Sequence, residues 1–208
     1  CVVITGASGM GKTALASNIC NGWKGTYFWY TFRGGVNDHI SNVVYALAYY
    51  LHQVNRSSTW LQLMSDRDKF HQPQLLEQLR HDLAKHAPDN MTTPILLCFD
   101  EVDILHDDNA THRPVLSLLE SLRDMHIPLL FIGQTSQFMP QQHVYSVALA
   151  GLIPLDCAEL LAKAGVQLKQ VELTQLCAVT YGNPGMIILF GSLIRHYKDT
   201  QQFIEPSQ

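Results

Sequence analysis

The chain has 208 residues, of which 47% are hydrophobic and 15% charged, a composition that excludes a disordered or fibrous protein and allows a sizeable buried core. Fourteen Lys and Arg against eighteen Asp and Glu give a net charge of -4, which excludes a broadly basic nucleic-acid coat but not a local basic patch. No apolar run approaches the ~18 residues of a membrane span, and the five cysteines lack CxxC spacing, so we expect reduced thiols rather than a zinc site or disulfides.

Strand-like and helical segments alternate over the first 150 residues. We predict strands over Val2–Thr5, Thr26–Phe32, Ile95–Phe99, Leu129–Gly133 and Val144–Leu149, and helices over Lys12–Cys20, Ile40–His52, Leu75–His86 and Pro114–Met125. This alternation predicts an α/β fold with a parallel sheet covered on both faces. The least patterned stretch, Arg56–Gln72, is expected to contain a surface loop. A core strand at residue 1 suggests a fragment of a longer chain.

Beyond residue 150 the pattern becomes helical only. Helices are expected over Asp156–Lys163, Val171–Tyr181 and Pro184–Tyr197, with no strand between them. Asp156 and Asn183 are predicted N-caps, and Pro184 suits a first helical position. We therefore predict two domains, an α/β domain over residues 1–152 and a small helical domain over residues 153–208.

The segment from Gly6 to Thr13, called the phosphate loop below, fits the pattern G-x-x-x-x-G-K-[ST] without a mismatch. Small residues let such a loop wrap a phosphate chain with its backbone N–H groups, and the following helix presents its N-terminus to the same anion. Lys12 can reach the β- and γ-phosphates, and Thr13 can offer its hydroxyl to Mg²⁺. The predicted nucleotide contacts are Gly6, Ala7, Ser8, Gly9, Met10, Gly11, Lys12, Thr13 and Ala14.

An apolar strand ends in the adjacent carboxylates Asp100 and Glu101. Asp100 is expected in the Mg²⁺ shell, directly or through water, and Glu101 is placed to orient and deprotonate an attacking water. The adjacent pair favours hydrolysis of ATP or GTP over a small-molecule kinase reaction. Asp103 either supports the same site or caps the loop.

Two further segments carry polar residues. The strand over Leu129–Gly133 is followed by Gln134 and Thr135, which either sense the γ-phosphate or simply begin a loop. Tyr181–Gly185 separates two predicted helices, and there glycine, asparagine and proline have an ordinary reading as helix end, cap and start.

Isolated basic and aromatic residues have plainer interpretations. Arg33 and Arg123 are candidate phosphate contacts, in cis or from a neighbouring subunit, but solvated surface positions are the preferred reading for both. The aromatic run Tyr27–Tyr30 is expected in the sheet core rather than in a base-stacking platform.

Together these motifs resemble the STAND class of signal-transduction ATPases, which is related to AAA+ proteins and includes NB-ARC and NACHT-like modules. The motifs that carry the resemblance are Gly6–Thr13, Phe28–Arg33, Leu96–Asp103, Leu129–Thr135 and Gly182–Pro184. The resemblance covers nearly the whole chain. It implies a P-loop NTPase fold of three α/β/α layers, with a five-stranded parallel sheet in the order 5-1-4-3-2 followed by a small helical lid.

The resemblance also implies roles for single residues. Lys12 and Glu101 would be catalytic, Thr13 and Asp100 would serve Mg²⁺, and Pro184 would pack near the adenine. It implies an ADP-bound resting state and self-association when ATP is bound, with ATP, ADP and Mg²⁺ as cofactors. A cytoplasmic protein is expected, with effector and sensor domains outside this fragment and no membrane or nucleic-acid partner for it.

The chain departs from the family pattern in two ways. Many members have an arginine where this chain has Gln134, which bears on γ-phosphate sensing and hydrolysis. The second is that the winged-helix domain expected after the lid helices would lie beyond these 208 residues.

Three functional hypotheses remain open. The leading one is a nucleotide-operated switch with slow Mg²⁺-dependent ATP hydrolysis. The second is a continuously cycling AAA+-type remodelling ATPase with a subunit-bridging arginine, for which Arg123 is a candidate. The third is a non-enzymatic partner- or DNA-binding regulator that uses nucleotide only for stability.

Overall fold

A computed structural model describes residues 1–65, 72–84, 94–135 and 144–204. The chain forms two compact units. The first comprises Cys1–Thr5 and the described residues from Thr13 to Val147, and the second comprises Gly6–Lys12 and the described residues from Ala148 onward. The domain boundary at residue 152 stays a prediction, and the sequence did not indicate that Gly6–Lys12 would group with the C-terminal helices.

A five-stranded parallel sheet flanked by helices organises the fold. Its strands are β1 (Val2–Thr5), β2 (Tyr27–Thr31), β3 (Leu96–Asp100), β4 (Leu129–Ile132) and β5 (Tyr145–Ala148), in the spatial order β2-β3-β4-β1-β5. This is the predicted order 5-1-4-3-2 read from the other edge, and the predicted α/β P-loop NTPase fold is confirmed. Cys98 in β3 is paired with Trp29 on one side and Leu130 on the other. All five residues of β3 are buried, as expected for a central parallel strand.

The described helices of the first unit differ from the predicted ones mainly by one addition. They are α1 (Lys12–Gly22, whose first residue belongs to the second unit), α2 (Ile40–Gln53), α3 (Ser58–Ser65), α4 (Gln72–Ala84) and α5 (Arg113–Asp124), with a short 3₁₀ turn at Val102–Ile104. The predicted end of one helix at His86 lies outside the described residues. Helix α3 occupies part of the stretch from Arg56 to Gln72 in which a surface loop was expected, and residues 66–71 of that stretch are not described.

The first turn of helix α3 is held by a contact with another helix, which a sequence pattern does not show. The carboxylate of Asp82, which is fully buried, accepts hydrogen bonds from the Thr59 backbone N–H at 2.7 Å and from the Thr59 hydroxyl at 2.8 Å. A carboxylate that satisfies an N–H of the first helical turn stabilises a helix start. The start of α3 therefore depends on a residue of α4.

Aromatic rings fill the core beside the central strands. Phe99 of β3 lies 5.9 Å from Phe28, 6.1 Å from Phe32 and 5.7 Å from Phe131, measured between ring centroids. Full burial of one such side chain stabilises the fold by about 1.5–3 kcal/mol. Phe28 and Tyr30 are buried whereas Tyr27 is exposed, so only alternate residues of the aromatic run expected in the core lie there.

The second unit contains three helices, α6 (Pro154–Lys163), α7 (Gln170–Thr180) and α8 (Pro184–Ile204). Their shared core consists of Cys157, Leu161, Val166, Leu173, Cys177 and Ile187. Ile153 is the N-cap of α6, with Pro154 in the first turn, so the predicted N-cap Asp156 is wrong. Proline starts this helix earlier because its φ is already helical and it needs no acceptor for an N–H.

Within the described residues, no helix is both long enough and apolar enough to cross a membrane.

Candidate functional site

The phosphate loop directly follows β1 and leads into α1. Met10 N–H donates to the Ala7 carbonyl at 3.3 Å, which closes the turn. The buried Lys12 donates from Nζ to the same carbonyl at 3.1 Å. Gly9 has a φ of +80°, a backbone conformation that L side chains rarely adopt. The loop thus has a compact fold that depends on glycine, and the Lys12 side chain is bonded to the loop's own backbone.

The other residues predicted to contact the nucleotide lie in the loop and in the first turn of the following helix. Ser8 and Gly9 lie at the turn, Gly11 also has a positive φ of +85°, and Ala14 lies in the first turn of α1. The first N–H groups of a helix have no intrahelical acceptor, so they are available to an anion. The start of α1 can therefore present backbone donors to an anion.

The turn between α7 and α8, Gly182–Gly185, is called the rear turn below, and it touches the phosphate loop within the second unit. The Asn183 amide donates to the Ser8 carbonyl at 2.8 Å, and Gly185 N–H donates to the Gly9 carbonyl at 3.0 Å. Pro184, the predicted adenine contact, lies between these two residues and begins α8. The structure therefore places the neighbours of Pro184 against the loop.

In the first unit, Thr13 and Asp100 form a direct contact. The Thr13 hydroxyl donates to Asp100 Oδ2 at 3.1 Å, although the two residues are 87 positions apart. Asp100 is buried at 4% exposure, and its Oδ1 accepts the Glu101 backbone N–H at 3.0 Å. A hydroxyl and a carboxylate are hard oxygen ligands of the kind that Mg²⁺ prefers, usually beside waters and substrate phosphates. These two predicted metal ligands are brought together and fit that ion.

The thiol nearest to Asp100 along its own strand is uncharged. Burial raises the pKa of the Cys98 thiol well above its usual range, with further contributions from Cys20 and from Asp100 itself. Cys98 therefore adds no second negative charge beside the carboxylate.

Glu101 has a left-handed backbone conformation, with φ 57° and ψ 39°. A residue other than glycine in this region costs about 1–3 kcal/mol, and such strained residues cluster at functional sites. The conformation ends β3 abruptly, because the 3₁₀ turn begins at the next residue, Val102. The predicted catalytic base thus directly follows the predicted metal ligand, on a backbone held in a strained turn.

Asp103 connects the two polar strand ends of the first unit. Its Oδ1 accepts the Gln134 backbone N–H at 3.0 Å. Gln134 itself is exposed, and it directly follows Gly133 at the end of β4. This contact is a loop cap, and support of a nucleotide site by Asp103 stays a prediction.

One buried pair was not found from sequence. His112 Nε2 lies 3.2 Å from Asp38 Oδ2, and both residues are 5% exposed. The backbone N–H of His106 donates to His112 Nδ1 at 3.0 Å, so the ring proton is on Nε2 and points to Asp38. The Gly35 N–H and, less strongly, His112 hold the pKa of Asp38 below its usual value. The pair connects the segment after β2 with the segment before α5. In the sequence, the only signal for it was that aspartate and histidine often pair.

The two candidate arginines have local roles in this chain. Arg123 donates to Asp124 Oδ1 at 3.0 Å from Nη2 and 3.1 Å from Nε. The backbone N–H of Arg33 is bonded to Asn37 Oδ1 at 2.6 Å, and Arg33 is exposed. Neither is held at a phosphate-binding group by a described contact, so both phosphate-binding readings remain predictions.

Residues 2–146 match the family described as the ATPase family associated with various cellular activities (AAA). No curated protein gives a significant match to the chain.

Solved structures with the same fold come from several kinds of protein. A STAND protein with a tetratricopeptide repeat sensor from Pyrococcus horikoshii is 19% identical, with a TM-score of 0.65 over 88% of this chain and 26% of that one. The ORC1 protein of Aeropyrum pernix, solved in complex with DNA, is 14% identical, with a TM-score of 0.61 over 94% and 55%. AMPPCP-bound DnaA from Aquifex aeolicus is 14% identical, with a TM-score of 0.51 over 93% and 55%.

At these identities the likeness concerns the fold. The chain spans about a quarter of the length of the STAND structure and just over half of the other two, at 26%, 55% and 55%.

Proposed function

This chain belongs to the AAA family of ATPases, and we propose that it is the nucleotide-binding part of a STAND-type switch. In this proposal it binds ADP or ATP with Mg²⁺, hydrolyses ATP slowly, and changes its association state with the nucleotide bound. Effector and sensor functions would belong to other parts of a longer protein.

The observation that carries the proposal is the hydrogen bond from Gly185 N–H to the Gly9 carbonyl, at 3.0 Å. It joins the first turn of α8 to the turn of the phosphate loop, and Gly6–Lys12 belong to the same compact unit as α6–α8. A phosphate chain that moves the loop therefore acts directly on a helix of this unit. Coupling of this kind is what a switch requires and what a simple nucleotide-binding fold does not need.

The proposed binding roles follow from the donors described above. Lys12 and the backbone N–H groups of the phosphate loop hold the β- and γ-phosphates. Thr13 and Asp100 hold Mg²⁺ through their oxygens. When bound, the ion neutralises negative charge on the phosphate oxygens and orients them. Pro184 is proposed to contact the adenine.

The proposed hydrolytic roles belong to the two strand ends. Glu101 orients an attacking water and accepts its proton, while Gln134 contacts the γ-phosphate. Because an amide carries no charge, Gln134 stabilises the γ-phosphate less than an arginine would. Slow hydrolysis is the expected consequence, and slow hydrolysis suits a switch because each state then lasts long enough to be read.

A switch requires a minimum difference in nucleotide affinity between its two states. Inverting a population from 1:99 to 99:1 requires the two states to differ by about 5.5 kcal/mol in their affinity for the nucleotide. Contacts to the γ-phosphate and Mg²⁺, which ADP lacks in part, must supply this difference.

The first test is to purify the protein without added nucleotide, denature it, and identify what is released by chromatography and mass spectrometry. About one ADP per chain is expected, and Lys12→Ala protein prepared in parallel should release much less. Protein that is empty, binds no added ADP and hydrolyses no ATP would refute the proposal. Empty protein with sustained turnover would favour the cycling remodelling ATPase.

The second test concerns association. The molar mass of the protein is measured by light scattering with ADP and then with a non-hydrolysable ATP analogue, both with Mg²⁺. A larger assembly with the ATP analogue is expected. Identical masses and identical hydrogen exchange in α6–α8 under both conditions would contradict the switch while leaving nucleotide binding intact.

A further inference from the structure

The side chain of Asn183 makes two hydrogen bonds in two directions. Its Nδ2 donates to the Ser8 carbonyl at 2.8 Å, and its Oδ1 accepts the Met186 N–H at 3.2 Å. The second bond is an N-cap of α8, as the sequence predicted. The first reaches a residue 175 positions away in the chain and has no part in capping.

Only one orientation of the amide satisfies both partners. The Ser8 carbonyl can only accept and the Met186 N–H can only donate, so the nitrogen must face the loop and the oxygen must face the helix. A capping residue needs only the acceptor. Asparagine therefore supplies a donor that the other good capping residue with a planar side chain, aspartate, lacks at neutral pH.

The rear turn is itself held in place. Leu152 N–H donates to the Gly182 carbonyl at 2.7 Å, and Asn183 N–H donates to the Thr180 carbonyl at 2.9 Å. The contact with the loop is also close. A Cβ added to Gly9 would lie 2.7 Å from Asn183 Oδ1, and one added to Gly185 would lie 3.1 Å from the Gly9 Cα. Asn183 is thus a fixed donor in a tight contact.

The bond to Ser8 constrains a phosphate-binding group through the geometry of the peptide. In a planar trans peptide, the carbonyl oxygen of one residue and the N–H of the next point in opposite directions. Holding the Ser8 oxygen on Asn183 therefore directs the Gly9 N–H away from Asn183. Gly185 does the same for the next peptide by holding the Gly9 oxygen at 3.0 Å.

We propose that Asn183 is a positioning residue for the nucleotide, whose amide donor orients the Ser8–Gly9 peptide so that Gly9 N–H is directed to the phosphates. The inference rests on the proposed nucleotide binding and adds to it a residue whose only role so far is to cap α8. It also makes Asn183 the side chain by which α8 responds to the state of the loop.

Two variants separate this role from helix capping. Asn183→Asp and Asn183→Ser both retain an acceptor for the Met186 N–H, and both introduce residues that are good N-caps. Neither provides the amide donor at the Ser8 carbonyl. The aspartate also adds a negative charge beside a phosphate site, whereas the serine is neutral, so agreement between the two variants excludes a purely electrostatic effect.

The affinity for ADP with Mg²⁺ is measured by isothermal titration calorimetry, and the melting temperature is measured without nucleotide. Both variants are expected to bind ADP about five- to tenfold more weakly, the effect of one lost hydrogen bond, and to melt within about 2–4 °C of the parent protein. ADP affinities equal to the parent's would overturn the proposal. Weak binding by Asn183→Asp combined with normal binding by Asn183→Ser would overturn it as well, because charge alone would then explain the loss.

A readout that needs no nucleotide keeps the proposal testable by itself. Hydrogen–deuterium exchange of the segment Gly6–Lys12 should be faster in both variants than in the parent. The matched control is Asn42→Ser, because the amide of Asn42 also donates to a backbone carbonyl, that of Val36 at 3.3 Å, in the first unit. That variant should change neither ADP affinity nor exchange of the loop. If the parent binds no ADP, the proposed function fails, and unchanged loop exchange in the variants would separately refute the role of Asn183.

Discussion

Thr13→Val removes one hydroxyl from the contact between Thr13 and Asp100 while keeping the volume and branching of the side chain. In the parent, the Thr13 hydroxyl donates to Asp100 Oδ2 at 3.1 Å. A hydrogen bond to a charged group contributes about 1.5–3 kcal/mol. Thr13 is exposed, so water can partly replace its hydroxyl, and we expect a loss of about 1 kcal/mol, which is below the range for charged partners and typical of an ordinary hydrogen bond.

The stability assay uses protein free of nucleotide and metal. For a chain of this size, about 1 kcal/mol corresponds to a decrease of roughly 2–4 °C in melting temperature. Thr13→Ser keeps the hydroxyl and should lose less. The second assay measures ADP binding over a range of Mg²⁺ concentrations. Thr13→Val should need about tenfold more Mg²⁺ for half-maximal enhancement, the effect of one lost ligand-type contact.

The two assays together test whether the Thr13 hydroxyl has a role in stability or in Mg²⁺ binding. If Thr13→Val matches the parent in melting temperature and in Mg²⁺ dependence, the contact with Asp100 has neither a structural nor a metal-binding role. A serine variant as impaired as the valine variant would show that the γ-methyl group, and not the hydroxyl, is responsible.

Three further predictions concern other contacts. Asp103→Ala removes the acceptor of the Gln134 N–H. Because small displacements of site residues have large effects on catalysis, kcat for ATP hydrolysis should fall by about tenfold or more. KM should change little, and steady-state kinetics measure both constants. The pKa of Asp38 is lowered in the folded protein, so its carboxylate stabilises the fold above its unfolded pKa, and this stabilisation is lost as the pH falls below about 4. Asp38→Asn should therefore make the unfolding free energy decline less steeply below about pH 4. Denaturation at several pH values measures this. Gly25→Ala should destabilise by about 1–3 kcal/mol, because an added Cβ would collide with the Pro94 carbonyl oxygen; urea denaturation measures this.

Each of these has a matched control. Asp103→Asn keeps an oxygen acceptor and should retain most of the turnover; equal loss in both variants would count against positioning through that acceptor. At pH 7 and pH 2, Asp38→Asn and the parent should differ by different amounts, and a constant difference would contradict the lowered pKa. Gly22→Ala places its Cβ in open space and should not destabilise, so a similar loss at both glycines would point to backbone effects instead of a collision.

Much of the fold could be predicted because its signals are local. The apolar run before the phosphate loop and the glycines within it specify a strand, a turn and a helix in sequence. The 3.6-residue periodicity found α2 and α5 to within one residue of their observed ends. The order of the strands had no such local signal. Alternating strands and helices indicate a parallel sheet, but they do not say which strands are neighbours. Only the family resemblance implied the order 5-1-4-3-2.

Other elements were missed where distant residues decide local structure. The start of α3 is bonded to a buried carboxylate from α4, 23 positions away from Thr59, a contact that the sequence of α3 alone does not show. Asp156 has the composition of an N-cap, but Pro154 starts α6 two residues earlier. The pair of Asp38 and His112 joins segments 74 positions apart, and no spacing rule relates them.

By itself the sequence determined which chemical groups stand in short segments: a glycine-rich loop with Lys12 and Thr13, and a carboxylate pair at Asp100 and Glu101, both predicted to serve a nucleotide. Their chemistry is contained in short segments whose spacing sets the local backbone. Tertiary structure alone decided that Thr13 meets Asp100 and that Asn183 meets Ser8, across 87 and 175 positions. Hydrogen bonds over such separations leave no periodic pattern in a single chain, because they arise only when the packed core has brought the segments together.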